Sequence, residues 1–302
     1  MQKTKQLIPF RILVLVAIFG LTALLTPSVA ADEVTAKEAY NAGIKAKQDG
    51  NLEEAILQFK LAIQEDETYA DPAMNLGAIY FERKDFTSAL EAFKTATERD
   101  PDRAEAWANL GRVHYKLKQW VEAGSAFEKA TGLAPDNANY WMELGKVYNK
   151  RDMAAEAIEA FQTSHEKGGG DHVSYYFLAQ ALADQGKTND AIAAYQKSIS
   201  LDDDFYYSHS ALGSIYLDQK RFGPAAEEFR KASQIQPKSY KASFNYAVAV
   251  QSQDPENYKR ALDAWESFVQ KHKDNPRASR LISSARETVK ALKEAVETAD
   301  LQ

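Results

Sequence analysis

One pattern of apolar and small residues recurs along most of this 302-residue chain at a spacing of 34 residues. Its clearest copy lies in residues 104–137, where two groups of side chains each follow the three- and four-residue spacing of one helix face. The first group is Trp107, Leu110, Gly111 and His114, and the second is Ala123, Phe127 and Ala130. Pro135 has no amide proton to donate and ends the second helix. Each unit is therefore predicted to be a pair of α-helices.

The same positions are occupied one period earlier and one period later. The earlier set is Leu76, Gly77, Tyr80, Ala89, Phe93, Ala96 and Pro101, and the later set is Trp141, Leu144, Gly145, Tyr148, Ala157 and Phe161. A Trp-x2-Leu-Gly start followed by these alanines, phenylalanines and prolines resembles the tetratricopeptide repeat. The resemblance implies an all-α, right-handed α-solenoid of seven helix pairs. Their predicted bounds are 36–69, 70–103, 104–137, 138–171, 172–205, 206–239 and 240–275.

The fifth unit departs most from the pattern, because Ala179 replaces the glycine, Leu182 the tyrosine and Asp203 the proline. Just before it, residues 168–170 are three glycines where other units have a proline corner. Glycine permits unusual backbone angles, so this segment is either a hinge or a loose loop.

Residues 276–302 are predicted to form a capping helix and a C-terminal tail. Asn275 and Pro276 suit the start of a helix, and apolar residues then follow along one side to about residue 299. They are Leu281, Ile282, Ala285, Val289, Leu292 and Val296. A repeat array needs such an end, since its last pair would otherwise expose an apolar face.

Residues 1–30 have the three parts of a secretory signal peptide: a basic start, a 14-residue apolar run at 12–25, and the small residues Ser28 and Ala30. Cleavage is predicted after Ala30, which leaves a short linker at 31–35. The apolar run is shorter than the ~20 residues of a spanning helix. The protein is therefore expected to be exported to a bacterial periplasm, without membrane insertion after cleavage. An extracellular location, or an uncleaved leader that tethers the chain to the inner membrane, is the alternative.

Composition excludes several functions. The net charge is −6, and it becomes −9 without the three cations of the leader, which disfavours nucleic acid as a partner. The absence of cysteine excludes disulfides, thiolate metal sites and cysteine nucleophiles. The run Gln185-Gly186-Lys187-Thr188 resembles the end of a phosphate-binding loop, but Ala181 stands where the first glycine is required. No enzymatic activity and no cofactor are predicted.

The five histidines show no metal-ligand spacing. His114 and His209 occupy positions of the repeat core. His165 and His172 flank the glycines and could share a metal with Asp171, although exposed loop residues are the favoured interpretation.

In the family that the chain resembles, the first helix of each pair lines the concave side of the superhelix. Of the residues at its inward-facing positions, eleven are the candidate partner-binding residues. They are Tyr40, Met74, Arg112, Tyr115, Lys116, Met142, Lys146, Lys150, Tyr176, Tyr207 and Phe244. The middle of this set is basic and suits an acidic or C-terminal peptide segment. The alternative is that the aromatic and methionine side chains pack between helices and the cations pair with nearby glutamates.

These features predict a non-catalytic scaffold or adaptor in the cell envelope, which binds peptide segments or partner proteins in its groove. A membrane-tethered assembly factor and a glycan- or peptidoglycan-associated binding protein are the alternatives. Some family members clamp a C-terminal carboxylate with lysines and asparagines, but of those positions only Asn75 has the required residue here. That mode of binding is therefore not predicted.

Overall fold

The computed structural model describes residues 29–299, which contain fifteen α-helices, one short 3-10 helix and no strand. The helices are α1 (Val29–Gln48), α2 (Leu52–Glu65), α3 (Ala70–Glu82), α4 (Phe86–Arg99), α5 (Ala104–Lys116), α6 (Trp120–Leu133), α7 (Ala138–Lys150), α8 (Ala154–Glu166), α9 (His172–Asp184), α10 (Thr188–Leu201), α11 (Tyr206–Asp218), α12 (Phe222–Ile235), α13 (Tyr240–Gln253), α14 (Tyr258–His272) and α15 (Ser279–Ala299). Each helix packs mainly on the helices that precede and follow it in the chain. The predicted all-α solenoid of seven helix pairs is confirmed.

The N-terminal predictions fall largely outside these bounds. Residues 1–28 of the predicted signal peptide and residues 300–302 of the tail lie outside the described residues. Helix α1 begins at Val29, so residues 31–35 are part of this helix and do not form a separate linker. Within residues 29–299, no helix combines the length and the apolar character that crossing a membrane requires.

In five of the seven helix pairs, a glycine of the first helix lies against a phenylalanine ring of the second. A Cβ atom added at these glycines would come within 2.7–3.1 Å of the ring. The contacts are Gly43 with Phe59, Gly77 with Phe93, Gly111 with Phe127, Gly145 with Phe161, and Gly213 with Phe229. All five rings are at most 2% exposed, so the glycine allows the two backbones to approach around a fully buried side chain.

The capping element begins with the 3-10 helix Pro276–Ala278, where the side chain of Asn275 accepts a hydrogen bond from the Arg277 amide at 3.0 Å. Helix α15 then packs on α14 and buries Ile282, Ala285 and Leu292. This arrangement covers the apolar side of the last pair, as the sequence predicted.

The three glycines before the fifth unit have different roles. Gly168 has φ +89°, a region that favours glycine. A Cβ atom at Gly169 would lie 2.5 Å from Ser164 Oγ and 2.7 Å from Ala138 Cβ. Ser164 Oγ in turn donates a hydrogen bond of 2.8 Å to the Ala138 carbonyl, which joins α8 to the start of α7. Close packing therefore fixes Gly169, a role that neither the hinge nor the loose-loop interpretation anticipated.

Candidate functional site

The first helices of the pairs form a common surface, which we call the first-helix surface and define by the exposed and half-buried residues of α1, α3, α5, α7, α9, α11 and α13. All eleven candidate residues lie on these helices. The structure divides them into residues that pack inside the solenoid and residues that face solvent.

Several aromatic and methionine candidates are used for packing. Met74 is only 6% exposed and belongs to the core between α3 and its neighbours. The ring of Phe244 lies 5.2 Å from Trp265 and 5.4 Å from Phe268 between ring centroids. The ring of Tyr40 packs on Phe59 and Tyr69, and its hydroxyl accepts a hydrogen bond from Asn75. Met142 is partly buried against the largest core cluster. These four residues stabilise the array by packing between its helices.

Lys146 is also engaged within the molecule. Its Nζ lies 2.8 Å from both carboxylate oxygens of Glu143, one helical turn earlier, and the two side chains are only 19% and 17% exposed. The ammonium group is also 5.7 Å from the ring centroids of Tyr115 and Phe177, a geometry in which ring and cation attract. Burial, reinforced by the charge of Glu143, raises the pKa of Tyr115. Lys146 thus joins α5, α7 and α9, and its charge is compensated locally.

Three cations of the same region remain free. Arg112, Lys116 and Lys150 are exposed on α5 and α7, and none of them forms an ion pair with the described residues. Arg112 donates a hydrogen bond of 3.0 Å to the Asn109 side chain, which leaves its positive charge without a compensating carboxylate. We call Arg112, Lys116 and Lys150 the cation group.

A small cavity opens beside this group. It has a volume of about 130 Å³ and is lined by α3, α4 and α5, with Phe81 and Phe93 in its apolar wall and Arg112 at its polar side. Its remaining lining residues are Ala78, Glu82 and Asn109. The cavity places an apolar depression next to a free guanidinium, which suits a single side chain of a bound segment.

Further along the surface, four aromatic side chains form an aromatic cluster: Tyr176 of α9, Phe205 just before α11, and Tyr206 and Tyr207 at the start of α11. Tyr176 lies 5.5 Å from Phe205 and 6.0 Å from Tyr207 between ring centroids, and Tyr207 lies 5.4 Å from Phe205 and 5.3 Å from Tyr206. Burial raises the pKa of Tyr176, whereas Tyr207 is 52% exposed. Tyr176 and Tyr207 were among the candidates predicted from the sequence, whereas Phe205 and Tyr206 were missed. The consecutive aromatic residues at 205–207 are the signal that could have identified them.

Four of the five histidines have a hydrogen-bond or ion-pair partner within the described residues. His114 and His209 are buried, as predicted, at 9% and 3% exposure. His165 and His172 are half-buried and lie in α8 and α9, which corrects the expectation of exposed loop residues. His165 Nε2 is 3.0 Å from Ser174 Oγ, and His172 Nε2 is 3.5 Å from Asp202 Oδ2. Within residues 29–299, no three histidine or acidic side chains converge in a way that could hold a metal ion.

Gly186, of the run that resembles a phosphate-binding loop, lies in the turn between α9 and α10 with φ +74°. Both neighbouring elements are helices, whereas a phosphate-binding loop follows a strand. The structure therefore supports the interpretation of this run as an ordinary turn within a helix pair.

The fold and its surface define a class of protein: an α-solenoid of helix pairs whose first helices present variable polar and aromatic side chains. Family comparison identifies the family. Models described as tetratricopeptide repeats match residues 74–138, 125–171 and 206–239, and a model described as a TPR repeat matches 179–220. Together these matches cover more than half of the chain, which belongs to the tetratricopeptide repeat family. No curated protein sequence matches it.

Solved structures of similar fold agree with this assignment. MamA from Desulfovibrio magneticus RS-1 is 22% identical, with 56% of this chain and 96% of that chain covered and a TM-score of 0.53. YrrB, a TPR protein with an unusual peptide-binding site, is 21% identical, with coverage of 66% and 100% and a TM-score of 0.53. PilF of Pseudomonas aeruginosa is 20% identical, with coverage of 70% and 96% and a TM-score of 0.57. At these identities the similarity concerns the fold.

Proposed function

We propose that this protein is a non-catalytic scaffold of the cell envelope that binds an acidic, extended segment of a partner protein on its first-helix surface. The observation that carries the proposal is the cation group, which consists of three exposed and unpaired cations on adjacent first helices. A chain of net charge −6 repels acidic partners in general, so a local excess of positive charge selects where such a partner can bind.

The architecture supports this function. Each helix pair buries its apolar face against its neighbours, so the outward side chains of the first helices can vary without loss of the fold. The peptide-binding site of YrrB supports the assignment of a peptide ligand to this fold. The location in the periplasm, reached by cleavage after Ala30, is part of the same proposal. Mass spectrometry of the mature N-terminus tests it, because an intact leader would instead favour a membrane-tethered protein.

Binding of a fluorescein-labelled peptide that carries four consecutive glutamates tests the charge assignment. We expect fluorescence anisotropy to report binding that weakens as salt is added, since the attraction is between exposed charges. The variant Arg112→Glu, Lys116→Glu, Lys150→Glu should lose this binding and keep its helical circular dichroism.

The matched control reverses three exposed cations of the second helices, with the changes Lys129→Glu, Lys197→Glu and Arg260→Glu. It alters the net charge by the same amount, so it separates the local effect of the cation group from overall repulsion. Equal binding by the two triple variants would remove the cation group from the function. Native cross-linking in the envelope, followed by identification of the linked protein, then supplies the natural sequence to be tested in place of the peptide.

A further inference from the structure

The aromatic cluster is a second part of the first-helix surface that packing alone does not account for. Tyr207 leaves 52% of its surface in water, and its hydroxyl forms no hydrogen bond within the described residues. Tyrosines that combine exposed ring area with an unused hydroxyl are typical of binding surfaces, because both parts of the side chain can contact a ligand with little loss of side-chain entropy.

The ring geometry favours one kind of ligand. Neighbouring rings meet at angles between 51° and 82°, so ring faces and ring edges alternate across the cluster. Proline rings pack against aromatic side chains, and a polyproline II backbone leaves its carbonyls free to accept hydrogen bonds. The Tyr207 hydroxyl can donate one, and the Tyr176 hydroxyl, which accepts a bond of 3.0 Å from Gln180, still has its own proton to donate.

The charged groups around the cluster disfavour a saccharide. Sugar hydroxyls require several uncommitted polar side chains around a stacking ring. Here Asp202 faces His172 at 3.5 Å, and Asp203 accepts a hydrogen bond of 3.0 Å from Lys231. The acidic loop at residues 202–204 also repels an acidic segment, so the part of a ligand that lies on the cluster is uncharged or weakly basic.

We propose that the aromatic cluster binds a proline-containing stretch of the same partner segment whose acidic stretch contacts the cation group. This inference rests on the proposed function, since both stretches belong to one ligand. Tyr207 of the cluster lies two first helices beyond Lys150, and Lys150 ends α7 whereas Tyr207 stands near the start of α11. Packed helices are spaced about 8–10 Å apart, so the two stretches are separated by at least about 20 Å. A polyproline II chain advances about 3.1 Å per residue, so at least about six residues are needed between them.

The test uses the purified protein and two labelled peptides measured by fluorescence anisotropy. The first peptide has four glutamates, a six-residue glycine-serine spacer and the sequence Pro-Pro-Ala-Pro, and the second has serines in place of the prolines. We expect the proline peptide to bind about tenfold more tightly, the ratio that about 1.4 kcal/mol of ring contact would produce. Tyr207→Ala should abolish that difference, and Tyr207→Phe, which keeps the ring, should retain most of it.

Leu57→Ala is the matched control, because Leu57 is 59% exposed on a second helix and removing it should leave both affinities unchanged. Equal binding of the two peptides, unaffected by Tyr207→Ala, would overturn this inference and leave the acidic-segment function intact. If neither peptide binds the unaltered protein, both this inference and the proposed acidic-segment function are overturned. Chitotetraose is included as a competitor, and displacement of the proline peptide that depends on Tyr207 would assign the cluster to saccharides and contradict the inference.

Discussion

The contact between Gly111 and Phe127 provides the most direct quantitative test of the packing. In Gly111→Ala, the new Cβ atom would lie 2.9 Å from two ring carbons of Phe127 and 3.1 Å from a third. Carbon atoms pack best at about 3.5–4.0 Å, and Phe127 is fully buried, so the ring cannot move aside without disturbing its neighbours. Overpacking of this kind costs about 1–3 kcal/mol. Alanine recovers about 1 kcal/mol of helix propensity, and the net loss is about 0–2 kcal/mol.

Gly132→Ala is the matched control for this change. Gly132 lies near the end of α6, in the same repeat, and a Cβ atom there meets no atom within 4 Å. The control should therefore gain up to about 1 kcal/mol from helix propensity alone. The difference between the two variants isolates the overpacking cost of about 1–3 kcal/mol. The larger change Gly111→Leu should cost at least as much as Gly111→Ala.

The free energy of unfolding in urea, followed by circular dichroism, measures this difference. Amide hydrogen exchange should place the loss of protection in α5 and α6, since each repeat contacts mainly its neighbours. The double variant Gly111→Ala, Phe127→Leu should lose less stability than the sum of the single variants, because the smaller side chain relieves the contact. Equal stabilities of Gly111→Ala and Gly132→Ala would refute the proposed role of the glycine.

Three further outcomes are expected. Burial by itself lowers the pKa of His209, but its hydrogen bonds to Glu228 and to the Asp203 carbonyl outweigh burial and raise the pKa above 6.5. The stability that the protonated histidine contributes is therefore complete below about pH 6.5 and is lost as the pH rises through the raised pKa. In urea titrations at several pH values, Glu228→Gln should reduce this dependence of the unfolding free energy on pH. Gly169→Ala should lower the unfolding free energy by about 1–3 kcal/mol. An unchanged value would instead favour the interpretation of residues 168–170 as a loose loop. Deletion of residues 276–302 should cause aggregation or loss of cooperative unfolding, measured by light scattering and circular dichroism, and a truncated protein that is equally stable and monomeric would show that α15 is not a cap.

The helix pairs could be predicted because their signals are local and repeated. The three- and four-residue spacing fixes the buried face of each helix, and the glycine and phenylalanine positions recur in five units with the same contact. The backbone conformation of the turns was harder to predict from the sequence. Lys84, Lys118 and Lys220 adopt positive φ within helix pairs, where sequence reasoning expects glycine, because flanking helices can impose this backbone conformation.

The candidate site was predicted only in part, because exposure on a repeat surface depends on neighbouring units. Met74 occupies a position that faces inward in the family, yet it is buried between helices here. Lys146 was predicted as a partner-binding cation, with pairing to a nearby glutamate as the alternative, and the structure shows that alternative with Glu143, three residues earlier. Phe205 immediately precedes α11, so transferring helical positions could not include it.

Stability and recognition occupy alternate positions of the same helices. Gly111 faces the buried ring of Phe127, while the next residue, Arg112, is exposed and bears an uncompensated charge. On α11, His209 is buried and paired, whereas Tyr207 two residues earlier projects into solvent. Because a helix turns by about 100° per residue, adjacent positions point to different surroundings. The charge reversals at Arg112, Lys116 and Lys150 should therefore abolish binding without lowering the melting temperature, whereas a change at Gly111 should lower the melting temperature and leave the binding residues in place.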